Sequence, residues 1–194
     1  MTRRDHQLMD AEPSHLGSTV RDLDEAMEFH SKLGILEWAT SGWKKASYYD
    51  RDHDDVIEVR SRVAFGRLNS GMAREFIEVD PSQPVPSVWR MGHPDCIPHV
   101  GYWVESPITI ARQLVDSGCR LLLARASNDG VRNLRKVDLD AQHLPDVLDA
   151  CYFSSNTGVL VELVPKAIFT SRLPATFGEA ISRMLPAPTT GNTS

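Results

Sequence analysis

Residues 98–105 read Pro-His-Val-Gly-Tyr-Trp-Val-Glu, and their pattern of His, Gly and Val occurs a second time near the N-terminus. Residues 14–21, Ser-His-Leu-Gly-Ser-Thr-Val-Arg, place the same three residue types at the same spacing. The two histidines, His15 and His99, are separated by 99 − 15 = 84 positions. An internal repeat of this kind predicts two similar structural units within one chain.

Two further pairs of residues keep the same offset. Each copy continues into a helix-like segment that ends on a glycine, Gly34 in the first and Gly118 in the second, and 118 − 34 = 84. Glu78, followed by Val-Asp-Pro, has its counterpart in Glu162, followed by Leu-Val-Pro, and 162 − 78 = 84. We therefore expect the two histidines to occupy equivalent positions in a duplicated unit, and the two glutamates to do the same.

Both copies carry the same order of secondary-structure signals. Asp22 and Glu25 form a capping-box-like helix start after the first predicted strand, and Ser106 with Pro107 forms a helix start after the second. Alternating or apolar segments after each helix predict three further strands. Each half is thus predicted to run strand, helix and three strands, which indicates an α+β architecture of two βαβββ modules.

Prolines mark the boundary between the halves. Five prolines between positions 81 and 98 oppose regular structure, so this stretch is predicted to be a linker. Beyond the second module the sequence predicts short helical pieces at 167–173 and 177–185, with disorder from Pro186 onwards. The expected segments are a first module (13–81), the Pro-rich linker (82–98), a second module (99–165) and a partly disordered helical tail (166–194).

The amino-acid composition and net charge indicate which classes of binding partner are expected. A hydrophobic fraction of 41% with 24% charged residues is ordinary for a globular protein, and a net charge of −5 argues against nucleic acid and anionic membranes as partners. No apolar run approaches the length of about 20 residues that a bilayer span needs, and no signal peptide is predicted. Three cysteines form no even framework, which favours a cytoplasmic location. We expect a small-molecule substrate and, as one arrangement, a homodimer.

The repeated polar residues are of the types that bind metal ions. Alternate residues of a strand share a face, so a glycine two positions from each histidine leaves space beside the imidazole. Glu78 and Glu162 lie in apolar strands, where a carboxylate must face water, a partner or a metal. If the halves pack about a pseudo-twofold axis, two imidazoles and two carboxylates meet around one divalent ion, and such donors suit Zn, Ni, Co, Mn or Fe. The alternative is two hydrogen-bonded strand histidines and two solvent-facing glutamates.

The same stretches resemble a known family. Residues 15–34 (His-Leu-Gly-Ser-Thr-Val-Arg-Asp-Leu-Asp-Glu-Ala-Met-Glu-Phe-His-Ser-Lys-Leu-Gly), 99–105 and 158–165 are similar to the vicinal-oxygen-chelate superfamily. That superfamily includes glyoxalase I, methylmalonyl-CoA epimerase, extradiol dioxygenases and bleomycin-resistance proteins. The resemblance covers about residues 13–165 and implies a glyoxalase-like fold of paired βαβββ modules around a metal cleft. It implies metal ligands at His15, Glu78, His99 and Glu162.

Three functions are consistent with this resemblance. The first is a metal-dependent lyase, isomerase or epimerase acting on an α-oxygenated carbonyl compound, with Glu162 or Glu78 as the base. The second is a ferrous extradiol-type dioxygenase, which would use His15, His99 and Glu162 as a facial triad. A fourth protein ligand at Glu78 counts against the dioxygenase. The third is a non-catalytic antibiotic-binding protein, which would not need the metal ligands.

Other residues are weaker candidates. Arg60 and Arg62 alternate on a predicted cleft strand, where they either hold an anionic substrate or are solvated. Trp103 shares the face of His99 and is expected to be an aromatic wall or a core residue. His30 falls on the apolar stripe of the first helix and is interpreted as a core or boundary histidine. The long loop at 126–147 has a length typical of loops that frame a site.

Overall fold

The computed structural model describes residues 11–94, 96–126, 132–133, 150–154 and 160–189. Its strands are β1 (Glu12–Val20), β2 (Trp38–Thr40), β3 (Lys44–Asp50), β4 (Asp55–Arg67), β5 (Ala73–Val79), β6 (His99–Val104), β7 (Arg120–Arg125), β8 (Cys151–Ser154) and β9 (Leu160–Pro165). Its helices are α1 (Leu23–Lys32), α2 (Pro107–Asp116), α3 (Arg172–Phe177) and α4 (Ile181–Met184), with short 3-10 helices at Ser87–Trp89 and Lys166–Ile168. The predicted α+β class is confirmed.

The helices that follow β1 and β6 begin at the predicted residues. The Asp22 carboxylate accepts a hydrogen bond from the backbone N–H of Glu25 at 3.0 Å, which caps α1. Ser106 caps α2 in the same way through the backbone N–H of Thr109, and Pro107 is the first helical residue. In both halves the helix therefore begins at the same position of the repeat, directly after the first strand of that half.

Eight of the nine strands found among the described residues form a closed ring. The neighbours around it are β5, β1, β6, β9, β8, β7, β3 and β4, and β4 pairs back with β5, while β2 adds to the far end of β4. Within each half the first strand pairs in parallel with the last, β1 with β5 and β6 with β9. The halves meet through two antiparallel junctions, β1 with β6 and β3 with β7. The sheet is thus a curved barrel whose inward-facing residues enclose a common interior.

The Pro-rich linker packs against the barrel, although the sequence predicted no regular structure there. Val88 and Trp89, in the 3-10 helix, are buried against a cluster that includes Val59, Ile77 and Leu122. Prolines restrict the backbone but do not prevent the apolar side chains between them from being buried. The linker therefore covers one end of the barrel.

The C-terminal tail covers the other end. Leu173, Ile181 and Leu185 are buried in one cluster with Phe65 and Trp103 of the barrel. The helices run over 172–177 and 181–184 rather than the predicted 167–173 and 177–185, and Gly178, with φ of 74°, ends the first of them.

The predicted disorder from Pro186 is wrong for residues 186–189. The indole N–H of Trp103 donates to the Pro186 carbonyl at 2.9 Å, and the backbone N–H of Thr189 donates to the Glu12 carboxylate at 3.0 Å. Polar contacts to the barrel hold this segment, and such partners are not visible in the local sequence. Residues 190–194, the arm at 1–10 and most of the 126–147 loop lie outside the described residues.

Asp50 joins the turn between β3 and β4 to the linker. Its fully buried carboxylate accepts from the backbone N–H groups of Asp52 and His53, both at 3.0 Å, and from that of Ser87 at 3.3 Å. The ring Nδ1 of His53 lies 2.7 Å from the same carboxylate. One side chain thus satisfies donors from two separate segments.

We expect Asp50→Ala to lower the free energy of unfolding by about 2–3 kcal/mol, because the buried N–H of Ser87 and the partly buried N–H groups of Asp52 and His53 lose their acceptor. Asp24→Ala is the matched control, since it removes an exposed carboxylate that pairs with Arg62 in the first turn of α1 and should cost no more than about 1 kcal/mol. Urea denaturation of the two variants measures the difference, and equal losses would contradict the role given to Asp50.

Candidate metal centre

Four polar side chains converge inside the barrel. His15 comes from β1, Glu75 from β5, His99 from β6 and Glu162 from β9, and all four are buried. One donor atom from each lies within 4.8 Å of all the others. Each half of the chain therefore contributes one imidazole and one carboxylate.

The hydrogen bonds within this cluster run between the halves. His15 Nε2 lies 2.8 Å from Glu162 Oε2, and His99 Nε2 lies 2.9 Å from Glu75 Oε2. The remaining imidazole–carboxylate separations, His15 to Glu75 and His99 to Glu162, are both 3.4 Å. The matching distances follow the pseudo-twofold relation between the modules.

The pairing of β1 with β6 positions both histidines. His15 lies opposite Gly101, and His99 lies opposite Gly17. A Cβ atom built on either glycine would be 2.0 Å from the imidazole of the opposite strand. The glycines do make room for the rings, as the sequence indicated, but each serves the histidine across the strand pair rather than the one on its own strand.

The second carboxylate of the cluster is Glu75, and the structure does not bring Glu78 to it. In the parallel pairing of β1 with β5, Gly17 lies opposite Glu75, just as Gly101 lies opposite Glu162 in the pairing of β6 with β9. Glu75 is therefore the structural counterpart of Glu162. The expectation that Glu78 lies with His15, His99 and Glu162 is corrected accordingly.

Glu78 points to the other face of β5 and has a structural role there. Its Oε2 accepts from the backbone N–H of Leu23 at 2.7 Å, at the start of α1, and from Arg62 at 2.8 Å. A carboxylate at a helix N-terminus stabilises the helix through the unpaired N–H groups of the first turn.

The misassignment has a simple geometric cause. The first module has 75 − 15 = 60 positions between its histidine and its glutamate, and the second has 162 − 99 = 63. A difference of three residues, an odd number, turns a strand residue to the opposite face. The same-face neighbours differ only slightly, because Ala73 and Ile77 flank Glu75, whereas Phe76 and Asp80 flank Glu78.

The donor set fits a divalent cation. An ion about 2.1 Å from each donor separates neighbouring donors by about 3.0–3.4 Å in octahedral or tetrahedral geometry, and the four separations between His and Glu donors range from 2.8 to 3.4 Å. Two carboxylates would balance the double charge of the ion in a buried site. His15 would bind through Nε2, because its Nδ1 lies 2.9 Å from the Ser14 hydroxyl and can donate to it.

Tyr152 adjoins the cluster, and the sequence gave no indication of it. It lies opposite Glu162 in the pairing of β8 with β9, and its ring contacts that of His99 at 5.2 Å between centroids. Burial raises the pKa of Tyr152 well above its usual value, and the charges of Glu162 and Glu75 raise it further. The hydroxyl therefore remains a proton donor near Glu162 at ordinary pH.

In the metal-free protein the cluster shifts the acidity of its members. Burial lowers the pKa of His99, but hydrogen bonds and charge attraction from Glu162 and Glu75 outweigh it and raise the pKa to about 9. Burial raises the pKa of Glu162, but contacts with His15 and His99 hold it well below its usual range. Without a metal, imidazolium and carboxylate forms thus stabilise each other.

A cavity of about 190 Å³ opens beside the cluster and includes His15, Glu75, Glu162 and Trp103 in its lining. Trp103 is both a buried core residue and part of the cavity wall. Arg60 and Arg62 do not line the cavity. They form ion pairs with Asp80 and with Glu78 and Asp24, respectively. Of the two alternatives for these arginines, the one in which they hold an anionic substrate is therefore not supported by their positions.

A sequence model described as Glyoxalase/Bleomycin resistance protein/Dioxygenase superfamily matches residues 14–137. The chain belongs to this superfamily. The family resemblance drawn from the sequence motifs is confirmed, and no curated protein matches the chain in a sequence comparison. Among the described residues, none of the helices combines the length and the apolar character needed to cross a bilayer.

Several solved structures resemble this superfamily member. A variant of methylmalonyl-CoA epimerase from Streptomyces coelicolor, in complex with 2-nitronate-propionyl-CoA, has 17% identity and a TM-score of 0.40 over 79% of this chain and 93% of that one. Methylmalonyl-CoA epimerase from Mycobacterium tuberculosis has 18% identity and a TM-score of 0.40 over 79% and 86%. A mutant of 4-hydroxymandelate synthase from Streptomyces coelicolor has 14% identity and a TM-score of 0.48 over 80% and 49%.

Substituting the two glutamates of β5 separates a candidate metal ligand, Glu75, from a helix cap, Glu78. We expect Glu75→Gln to weaken divalent-metal affinity by at least about tenfold, because a ligand loses its charge. Glu78→Gln should leave metal affinity unchanged and lower the free energy of unfolding by about 1 kcal/mol, because α1 and Arg62 lose a charged partner. Elemental analysis and chelator competition measure the affinities. Metal loss in Glu78→Gln alone would restore the assignment made from the sequence.

The metal-free protein should lose stability as the pH rises from 6.5 through about 9. The pKa of His99 is raised from 6.5 to about 9 on folding, so its contribution is complete below pH 6.5 and disappears as the pH passes the folded value. The pKa of Glu162 is lowered, so its contribution is present above pH 4.5 and decreases as the pH falls below that value.

Urea denaturation between pH 5.5 and 9.5, with His99→Gln as the comparison, measures the alkaline loss. The variant lacks the titrating imidazole and should not show this component. Saturating divalent metal should also remove it, because a metal-bound imidazole is neutral throughout. An alkaline loss of the same size in both proteins would assign it to other groups.

Proposed function

We propose that this protein is a divalent-metal-dependent isomerase, epimerase or lyase of the glyoxalase type that acts on an α-oxygenated carbonyl compound. The observation that carries the proposal is the buried cluster of two histidines and two glutamates, His15, Glu75, His99 and Glu162, beside a cavity of small-molecule size. Imidazole and carboxylate donors suit Zn, Ni, Co, Mn or Fe, and the donor set alone does not select among them.

When bound, a divalent ion would polarise the substrate oxygens and stabilise the negative charge that develops as a C–H proton leaves. The histidines would hold the ion and orient the substrate. Glu162 and Glu75, contributed by opposite halves of the barrel, are the candidate bases for removing and returning that proton. Two carboxylates related by a pseudo-twofold axis are placed to act on different faces of one substrate.

Tyr152 is the neighbour of Glu162 across the pairing of β8 with β9. Burial raises its pKa well above the usual value, and the charges of Glu162 and Glu75 raise it further, so the phenol stays neutral over the working pH range. Of the two candidate bases, Glu162 is the one beside this residue, and we assign it the principal role.

The alternative functions are less well supported. A ferrous extradiol dioxygenase needs open positions for both catechol and oxygen, and a fourth protein donor at Glu75 would occupy one of them. A sequestering protein without catalysis has no need for four convergent donors. A ferrous enzyme would lose activity in air, and a sequestering protein would bind its ligand equally well after treatment with chelator. The expected homodimer and cytoplasmic location stay predictions.

Deuterium exchange from heavy water into the α-carbon of metal-chelating carbonyl compounds tests the proposal. We expect exchange that depends on added divalent metal, and a decrease of about 10² or more in Glu162→Gln, the usual scale for losing a general base. Glu75→Gln should slow one stereochemical direction more than the other if both carboxylates act.

Glu78→Gln is the matched control, because it makes the same chemical change in the same strand outside the cluster. It should exchange at the rate of the unmodified protein, with metal content determined on the same samples. Exchange that survives in both cluster variants with metal retained would remove the glutamates from the mechanism.

A further inference from the structure

The cavity beside the cluster is lined by cations, although the chain as a whole has a net charge of −5. Its basic lining residues are Lys44, Lys45, Arg125 and Arg172. Among the described residues, the carboxylates in the lining belong to the metal cluster, Glu75 and Glu162. With a divalent ion bound, those two charges would be balanced, and neither would then offset the charge of a basic residue in the lining.

The basic residues come from separate elements. Lys44 and Lys45 begin β3, Arg125 ends β7, and Arg172 begins α3 of the tail. Lys45 forms an ion pair with Glu58 at 2.6 Å, whereas Lys44 has no ion pair within the part of the chain that the structure describes. Lys44 is therefore a cation of the cavity whose charge is available to a ligand.

The interior of the cavity is apolar. Val63, Phe65 and Trp103 line it from the barrel, and Ile168, Leu173 and Phe177 line it from the tail. The volume is about 190 Å³. An apolar cavity of about 150 Å³ holds a benzene molecule, so this space accommodates about six carbon atoms together with a small polar group.

We propose that the substrate is a small anion with an apolar group of about six carbon atoms. Lys44 attracts its negative charge, and the tail covers its apolar part. This inference rests on the proposed function for the site, but it concerns binding and can be measured without turnover. The chemistry is shared by carboxylates and phosphate monoesters, which the experiment separates.

Calorimetric titration of the metal-loaded protein tests the inference with 2-hydroxyoctanoate, its neutral amide, lactate and hexyl phosphate. The hydroxyoctanoate should bind at least about tenfold more tightly than lactate, because each buried methylene adds affinity. Lys44→Gln should weaken hydroxyoctanoate at least about threefold, the scale of a partly exposed charge interaction, and leave the amide unchanged. If hexyl phosphate binds more tightly than hydroxyoctanoate and loses as much affinity in Lys44→Gln, the anionic group of the substrate is assigned as a phosphate.

Lys32→Gln is the control, because it makes the same charge change on the outside of α1, where Lys32 pairs with Glu28. It should not alter the affinity of any probe. Equal losses in Lys44→Gln and Lys32→Gln, or equal affinities for hydroxyoctanoate and lactate, would overturn the inference. If the inference about binding fails but metal-dependent deuterium exchange is observed, the proposed function is still supported. If binding is charge-selective but no exchange is observed, the inference about binding is supported and the proposed function is not.

Discussion

The antiparallel pairing of β1 with β6 is the constraint on which the rest of the site depends. It places His15 opposite Gly101 and His99 opposite Gly17, so each imidazole occupies space that a side chain on the other strand would fill. Both rings then turn into the barrel. Because each of these strands also has a parallel partner, the same pairing brings one carboxylate from each half to the rings. The pairing of β1 with β6 thereby brings together four donors from both halves of the chain.

Burying four ionisable groups together is costly unless their charges are balanced. Two carboxylates within one cluster repel each other, and without a metal they depend on a protonated His99, as its raised pKa indicates. A divalent ion balances both carboxylates at once and leaves both imidazoles neutral. The electrostatic free energy of the four buried groups is therefore lower with a divalent ion bound than with two buried ion pairs alone. That difference, rather than the residue types alone, favours the metal interpretation.

Much of the fold could be predicted from the sequence, because the repeat marks equivalent strands and helix caps mark their connections. The histidines were found because the pattern His-x-Gly lies within one strand in each copy. The second carboxylate was not found, because the histidine and the glutamate of the second module are three residues farther apart than those of the first. Glu78 therefore keeps the offset of the repeat, whereas Glu75 holds the equivalent place in the sheet. Contacts between distant segments were also invisible. Tyr152 beside Glu162 and Asp50 beneath Ser87 join residues that no local pattern connects.

The repeated and non-repeated parts of the chain make different contributions to the site. The repeat supplies the closed barrel and the four donors, which are features that two similar halves can provide by symmetry. The cavity is not symmetric, because the linker closes one end with Trp89 and the tail closes the other with Leu173 and Phe177. Those segments have no counterpart within the modules, so they are free to differ without disturbing the donors. The strands of the barrel thus supply the four candidate donors and Lys44, whereas the linker and the tail close the cavity beside them.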